Sequence, residues 1–163
     1  GVWEAVAPIP TARYGAGAAV VDGKIYVAGG TRSGDEPPLA TVEVYDPTTN
    51  TWAPAPSMST PRRFFGLAAL GGKLYAAGGV SGADELTLAE VFDPQTQVWA
   101  PIAPMGTARS RVTLTAVRSK LYAAGGETPD VTATVEAYDP QHDRWEAVAS
   151  LNQGRSTHAV AAI

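Results

Sequence analysis

The chain has 163 residues, enough for one domain with a sizeable core, and its 45% apolar and 17% charged residues are typical of a folded β-rich protein. The net charge is −4 and no run of lysine or arginine occurs, which argues against nucleic acid and anionic membranes as partners. Cysteine is absent, which excludes disulfides, thiolate nucleophiles and sulfur-ligated metals, and no apolar stretch reaches the roughly 18 residues of a membrane-spanning helix.

One pattern of residues recurs along the whole chain at intervals of 46 to 49 residues. Each arginine of the pattern follows a tryptophan by ten residues, each lysine follows an arginine by eleven, and a glycine pair ends the segment. The recurring residues are Trp3, Trp52, Trp99 and Trp145, then Arg13, Arg62, Arg109 and Arg155, then Lys24, Lys73 and Lys120, and the glycine pairs at 29–30, 78–79 and 125–126. A fixed period of this length predicts a repeat architecture.

Each repeat begins with two short predicted strands, which we call strand a and strand b. Strand a is built mainly of small and aliphatic residues, at 17–21, 67–70 and 114–117, and strand b runs from the lysine to the glycine pair. A two-residue link joins the strands and predicts a tight hairpin. Asp22-Gly23 and Gly71-Gly72 are usual residues for such a turn, whereas Arg118-Ser119 is not.

Two further strands, c and d, complete each repeat. Strand c is predicted at 41–45, 88–92 and 134–138, with a glutamate at its centre and an aromatic-Asp-Pro turn at its end. Strand d holds the tryptophan and leaves through a proline-rich loop such as 53–56. We expect Trp52, Trp99 and Trp145 to be buried at equivalent sites, each packed on the aromatic residue that ends its own strand c.

Four antiparallel strands in about 47 residues describe one blade of a β-propeller. The chain then divides, within one domain, into blades at 13–61, 62–108 and 109–154. Residues 1–12 are predicted as the outer strand d of a preceding blade, and residues 155–163 as the inner strand a of a following blade.

The glycine pair, the aromatic-Asp-Pro turn, the tryptophan and the Met-x-x-x-Arg of 58–62 and 105–109 resemble the kelch repeat over essentially the whole chain. The resemblance implies an all-β fold of kelch-type β-propeller blades, which in this family form rings of five to seven. Three blades and two orphan strands make an incomplete ring, or half-propeller. Either the residues belong to a longer chain, or copies self-associate to close the ring. We expect a longer parent chain, because the two orphan strands that would meet at a seam between copies are not neighbours in an ordinary blade.

The d–a and b–c loops lie on one face of the predicted propeller, because neighbouring strands are antiparallel. Only the b–c loops vary in length, and loops on a rigid scaffold often carry binding residues. Each acidic residue in them is by itself explained as a solvated turn residue, so the face as a whole is the better candidate. The candidate binding residues from these loops are Arg32, Asp35, Glu36, Asp84, Glu85, Glu127 and Asp130.

The arginine of each repeat, here called the register arginine, keeps a fixed spacing to the central glutamate of strand c. This regularity favours a structural ion pair over a ring of ligand-binding cations. Two residues after the register arginines, at the predicted channel mouth, the chain carries Gly15, Phe64, Arg111 and Thr157. In kelch domains that bind acidic peptides, arginines near this rim contact the ligand, and the resemblance extends that role to Arg111.

Arg63 and Arg32 are weaker candidates by position. The Phe64-Phe65 pair is interpreted either as a core plug, which we favour, or as an exposed aromatic anchor. The sequence therefore predicts a scaffold that binds a protein or peptide and is not an enzyme, with no cofactor and no metal. The alternative is a fragment of a kelch-propeller enzyme or carbohydrate-binding domain, mutarotase-like or oxidase-like, whose site needs further blades. An oxidase of the galactose-oxidase type requires a Cys–Tyr crosslink, which this chain cannot form.

Overall fold

The structure, a computed structural model, describes residues 1–161. This part of the chain forms three four-stranded antiparallel sheets and two small two-stranded hairpins, and it contains no helix, so no helix long enough to cross a membrane. In chain order the strands are β1 (Gly17–Val21), β2 (Lys24–Ala28), β3 (Val42–Asp46), β4 (Thr51–Ala55), β5 (Gly66–Leu70), β6 (Lys73–Ala77), β7 (Val80–Ser81), β8 (Asp84–Glu85), β9 (Ala89–Asp93), β10 (Val98–Ile102), β11 (Thr113–Val117), β12 (Lys120–Ala124), β13 (Glu127–Thr128), β14 (Asp130–Val131), β15 (Val135–Asp139) and β16 (Arg144–Val148).

Each large sheet is one blade whose strands follow the chain from the inside outwards. The first blade has the order β1-β2-β3-β4, and the other two repeat it as β5-β6-β9-β10 and β11-β12-β15-β16. The all-β blade architecture predicted from the repeats is therefore confirmed, with strand c one residue later than expected in every blade. Strands a and b are joined by the predicted two-residue links, and at the third link Arg118 adopts a positive φ of 55° without being glycine.

The inner strands of the three blades pack side by side, since β5 contacts both β1 and β11. Glycine is required at this close approach. A Cβ at Gly17 would lie 2.5 Å from the Cβ of Leu67, and a Cβ at Gly66 would lie 2.5 Å from the Cβ of Leu114. Small residues in strand a therefore let the blades converge towards one side.

A separate hydrophobic core fills each gap between neighbouring blades. In the first gap the ring of Tyr26 lies 6.1 Å from that of Phe92, and in the second Tyr75 lies 6.0 Å from Tyr138. Strand b of one blade thus packs against strand c of the next. These inter-blade cores hold the repeats together.

The strand d tryptophans occupy equivalent positions with unequal burial. Their rings lie 5.1 to 5.2 Å from those of the strand c aromatic residues, as predicted, and each indole nitrogen donates to a backbone carbonyl. Trp99 in the middle blade is buried with 8% of its surface exposed. Trp52 and Trp145 are only half-buried, so the expectation of equal burial is wrong for the outer two blades.

The two orphan strands predicted at the ends are not formed in the described residues. Residues 1–13 and 149–161 contain no strand, and Trp3, predicted to lie in strand d, is fully exposed. A strand is stable only when its backbone groups find hydrogen-bonding partners, and among the described residues no strand pairs with residues 1–12 or 155–161. Residues 162 and 163, the end of the second predicted strand, lie outside the described residues.

Two smaller features also differ from the sequence prediction. Pro54 and Pro101 lie inside β4 and β10 and not in loops. These are the outermost strands of their blades, where the missing proline N–H leaves no ladder bond unmade. The b–c loops of the second and third blades contain the hairpins β7–β8 and β13–β14, which the sequence analysis treated as irregular loops.

Candidate functional site

The register arginines of the three blades are structural, as predicted. In each blade one terminal nitrogen of the guanidinium donates to the strand c glutamate, at 2.8 Å for Arg13–Glu43 and Arg62–Glu90 and at 2.7 Å for Arg109–Glu136. The other terminal nitrogen donates to two loop carbonyls at 2.8 to 3.1 Å. These arginines therefore close each blade from within and do not form a cationic ring in the channel.

Burial affects the pKa of two of these guanidinium groups, those of Arg62 and Arg109. It lowers the pKa of Arg62 and of Arg109, and the neighbouring glutamate in each blade partly offsets the effect. Because arginine starts from so high a value, both side chains stay charged at neutral pH. The fourth register arginine, Arg155, is exposed, and no carboxylate of residues 1–161 lies within 4 Å of it.

The four positions at the channel mouth share one backbone conformation. Gly15, Phe64, Arg111 and Thr157 have positive φ values of 65°, 55°, 50° and 53°. Their main chains are also linked from blade to blade. Phe64 N donates to Gly15 O at 2.7 Å, Arg111 N to Phe64 O at 2.6 Å, and Thr157 N to Arg111 O at 3.4 Å. A left-handed conformation is unfavourable for phenylalanine and arginine, so the fold imposes it here.

This imposed backbone places Phe64 at the surface between two guanidinium groups. The carbon at the centre of the Arg63 guanidinium lies 5.7 Å from the ring centroid of Phe64, and that of Arg111 lies 5.0 Å away. The ring of Tyr14, which is 44% exposed, lies 5.9 Å from Phe64. We call Tyr14, Arg63, Phe64 and Arg111 the mouth cluster.

The structure divides the Phe64-Phe65 pair between two roles. Phe65 is the core plug, with 6% of its surface exposed and its ring against Gly29. Phe64 is half-buried in the mouth cluster, so the favoured interpretation of the pair as a core plug is right for Phe65 and wrong for Phe64. A cavity of about 270 Å³ adjoins it, lined by Gly15, Ala16, Phe64, Phe65, Arg111, Val112, Thr113, Thr157 and His158.

Arg111 is held in place and still offers donors to a ligand. Its Nε lies 3.3 Å from Oε2 of Glu127, whose other oxygen accepts a hydrogen bond from the Ser156 hydroxyl at 2.9 Å. The Arg111 side chain is 42% exposed, and no hydrogen bond within residues 1–161 uses its two terminal nitrogens. A guanidinium fixed at one edge and open at the other suits a planar oxyanion such as a carboxylate.

A second depression lies beside the mouth cluster, between the b–c loops of the first and second blades. It encloses about 470 Å³ and is lined by Gly34, Asp35, Glu36, Pro37, Pro38, Pro61, Arg63, Ser81 and Gly82. We call it the loop cleft. It brings together Asp35, Glu36 and Arg63, three of the residues singled out from the sequence.

The remaining predicted binding residues are dispersed. Glu85 accepts a hydrogen bond from the Ser110 hydroxyl at 3.0 Å and so has a structural partner, like Glu127. Arg32, Asp84 and Asp130 are exposed and line neither the loop cleft nor the cavity at the mouth. Tyr14 and Pro38 were not predicted from the sequence. Both stand at positions where the repeats differ, which is the signal that singled out Phe64 and Arg111.

The two histidines lie on opposite faces of the blades. His142 contacts the Asp139 carboxylate at 3.0 Å on the face of the Asp-Pro turns, and His158 lines the cavity at the mouth. In residues 1–161 no three side chains of the metal-binding types His, Cys, Asp and Glu are grouped closely enough to hold an ion.

Comparison with known proteins gives a family match over most of the chain. The Kelch motif matches residues 12–59, 61–106 and 108–152, close to the three blades. Kelch-like protein terF of Aspergillus terreus (strain NIH 2624 / FGSC A1156) is 46% identical over 61 residues, which cover 36% of this chain and 13% of that protein. A putative F-box/kelch-repeat protein of Arabidopsis thaliana is 40% identical over 57 residues, covering 35% of this chain and 15% of that protein. Kelch-like protein 33 of Homo sapiens is 39% identical over 56 residues, covering 34% and 10%.

The fold also matches a solved structure. That of YjhT superposes with a TM-score of 0.81 and 21% identity, covering 95% of this chain and 57% of that one. At this identity the likeness shows the fold alone. The matched segments span 10% to 15% of the curated relatives, so the activities of those whole proteins do not transfer to this chain. The three consecutive matches and the three blades show that the chain belongs to the Kelch motif family.

Proposed function

We propose that these blades act as a binding scaffold for a protein or peptide, and that the partner docks on the face formed by the d–a and b–c loops. Kelch repeats are commonly protein-interaction scaffolds, which supports the class of function. The loop face supports the location, because it carries both the mouth cluster and the loop cleft.

The mouth cluster is the observation that carries the proposal. Phe64 and Arg111 break the repeat, both adopt a left-handed backbone, and their side chains lie together at the surface. Residues that serve only the repeat recur in every blade, as the buried register arginines do. Tyrosine, phenylalanine and arginine are also the side chains enriched at the centres of protein interfaces.

The chemistry of the cluster favours an acidic partner and a binding role. Aromatic rings supply apolar contact area, and the open edge of Arg111 supplies a paired donor for a carboxylate. A guanidinium keeps its proton at all ordinary pH values, so it binds and orients anions but does not act as a general acid or base. We therefore propose that Arg111 binds an aspartate, a glutamate or a terminal carboxylate of the partner.

A display library of random 12-residue peptides tests the proposal. We expect the folded 163-residue chain to enrich acidic peptides, and synthetic copies of them to bind about tenfold or more weakly to Phe64→Ala and to Arg111→Ala. Arg118→Ala is the matched control, because Arg118 is exposed at the a–b link on the opposite face. If no peptide is enriched, or if both mouth variants bind like the unaltered chain, the proposal is wrong.

A further inference from the structure

Two of the junctions between loops are closed by a serine–glutamate hydrogen bond. Between the second and third blades, the Ser110 hydroxyl donates to Glu85 at 3.0 Å. After the third blade, the Ser156 hydroxyl donates to Glu127 at 2.9 Å. In both cases the serine directly follows a register arginine and the glutamate belongs to the preceding b–c loop. We call this contact the latch.

The two latch glutamates stand at different places in their loops: Glu127 directly follows its glycine pair, whereas Glu85 directly precedes Leu86. Between the first and second blades neither place holds a carboxylate, because Thr31 stands in the place of Glu127. The residue after the register arginine Arg62 is Arg63, in the place of Ser110. The place of Glu85 is taken by Pro38, as the backbone contacts establish. Leu39 N donates to Gly30 O at 2.7 Å, and in the same way Leu86 N donates to Gly79 O at 2.9 Å. The residues before these two leucines therefore correspond.

The loop cleft lies at this unlatched junction. Pro38 and Arg63 are both among its lining residues. Neither side chain can reproduce the latch, because proline has no polar side-chain group and arginine is a donor without a carboxylate opposite it. The loop cleft thus lies at the junction that lacks the latch.

Most hydrogen-bond donors of the Arg63 guanidinium have no acceptor among the described residues. Within residues 1–161 its guanidinium makes one long hydrogen bond, from Nη1 to Gly34 O at 3.3 Å, and no carboxylate lies within 4 Å. Its Nε is buried without an acceptor. Since an unpaired buried donor is unfavourable, a carboxylate that engages this guanidinium from the cleft gains a charge-assisted hydrogen bond that the free protein lacks.

The other cleft residues narrow the class of ligand. Pro37, Pro38 and Pro61 form stiff apolar walls that lose little conformational freedom on binding. Asp35 and Glu36 are exposed and add two negative charges to the one positive charge of Arg63. An anionic group alone meets net repulsion here, whereas a carboxylate with a basic group beside it is complementary to both charges.

We propose that the loop cleft is a subsite for a peptide segment that presents a carboxylate next to a lysine or arginine. The carboxylate replaces the missing latch glutamate and binds Arg63, and the basic residue lies near Asp35 and Glu36. This inference rests on the proposed function of the loop face, and it names the second chemical group that the partner must carry besides the one bound at Arg111.

Restoring the latch tests the subsite. The double variant Pro38→Glu with Arg63→Ser introduces the residues that close the second junction, and the single variant Pro38→Glu places a carboxylate beside Arg63 while leaving Arg63 next to Phe64. We expect peptides selected from the random 12-residue display library to bind about tenfold or more weakly to both variants. The thermal unfolding of both variants should stay cooperative, since the double variant copies a contact already present at the next junction and the single variant changes only one residue that lines the cleft.

A charge-neutralised control defines the ligand class. Selected peptides with glutamate or aspartate changed to the amide, or with the neighbouring basic residue changed to alanine, should each lose affinity for the unaltered chain and show little further loss with the Pro38→Glu variant. Peptides that bind both latch variants as tightly as the unaltered chain, yet lose binding with Arg111→Ala, would overturn the subsite and leave the proposed function intact. If no peptide is enriched at all, both are overturned.

Discussion

Arg62 and Glu90 form an ion pair at 2.8 Å inside the middle blade, with only 1% and 3% of their side-chain surfaces exposed. The same guanidinium donates to Gly78 O at 2.8 Å and to Leu88 O at 2.9 Å, and the glutamate accepts Ser59 N at 2.8 Å. Such additional bonds offset the cost of burying an ion pair, and here they satisfy both terminal nitrogens of Arg62, whereas its Nε has no partner within residues 1–161. The pair therefore joins the end of strand b, the start of strand c and the d–a loop at one point.

Removing one member of this pair should be strongly destabilising. We expect Arg62→Met to lower the free energy of unfolding by about 3–5 kcal/mol, because Glu90 is left as an uncompensated buried charge. Urea denaturation measures the loss. Lys73→Met is the matched control, since Lys73 forms an exposed ion pair with Asp93 in the same blade and should lose far less. Equal losses for the two variants would contradict the structural role of the register arginines.

The loss of stability on replacing each tryptophan by alanine should follow the burial of its side chain and not its position in the repeat. Trp99→Ala should cost about 3–5 kcal/mol, because it empties a site in the core between the first and second blades. Trp52→Ala and Trp145→Ala should cost less, since these side chains are half-buried although their rings lie as close to their aromatic partners as that of Trp99 does. Denaturant unfolding of the three variants gives the ranking. A cost for Trp52→Ala equal to that for Trp99→Ala would show that the aromatic contact, and not burial, determines the loss.

The sequence was sufficient to predict the blades because the residues that build them recur. The glycine pair, the register arginine and the strand c glutamate are in contact in every blade. Their spacing in the sequence is fixed because the same contact is repeated. The candidate site was less predictable for the same reason. Pro38 and Arg63 line the loop cleft at the junction that lacks the latch, and no spacing in the sequence reveals an absent contact. The positive φ of Phe64 was equally hidden, because the glycine that usually marks this conformation is present only in the first repeat, at position 15.

Some glycine positions require only a left-handed backbone, whereas at others there is also no room for a Cβ atom. Gly71, in the second a–b link, has a φ of 59°, and a Cβ added there would meet no atom within 4 Å. At Gly78, with a φ of 68°, a Cβ would lie 2.6 Å from Arg109 O. Gly71→Ala should therefore cost about 1–2 kcal/mol, the ordinary penalty of that conformation, and Gly78→Ala clearly more. Chemical denaturation of the two variants provides the comparison.

Asparagine distinguishes the two causes, because it tolerates the left-handed region but still carries a Cβ. Gly71→Asn should recover much of the stability lost in Gly71→Ala, and Gly78→Asn should recover none. Recovery at both positions would mean that the backbone conformation alone requires glycine at 78.

His158 occupies a position that is apolar in the other repeats. It follows its register arginine by three residues, as Phe65 and Val112 do, and each of these side chains covers the first glycine of the preceding pair. Neither ring nitrogen of His158 has a hydrogen-bonding partner within residues 1–161, and both are buried. Burial is the main cause that lowers the pKa of His158 below its ordinary value of 6.5, and the positive charge of Arg155 lowers it further.

This lowered pKa predicts a loss of stability in weak acid. As the pH falls, His158 is protonated in the unfolded chain before it is protonated in the folded chain. The contribution of neutral His158 to the free energy of unfolding is therefore complete above pH 6.5, and it is lost as the pH falls through the lower pKa of the folded chain. We expect His158→Phe, which copies Phe65, to remove this part of the pH dependence. Urea unfolding midpoints between about pH 7.5 and pH 5 measure it, above the range in which most carboxylates titrate.

His142→Phe is the control, because its side chain is 62% exposed and lies on the opposite face against Asp139. We expect the urea unfolding midpoint of His142→Phe to decline below pH 6.5 as it does in the unaltered chain. In His158→Phe this decline should be absent. Because Phe65 fills the equivalent site in the middle blade, the phenylalanine should also raise the midpoint at neutral pH, or leave it unchanged. A decline of the same size in the His158→Phe variant would show that protonation of His158 is not its cause.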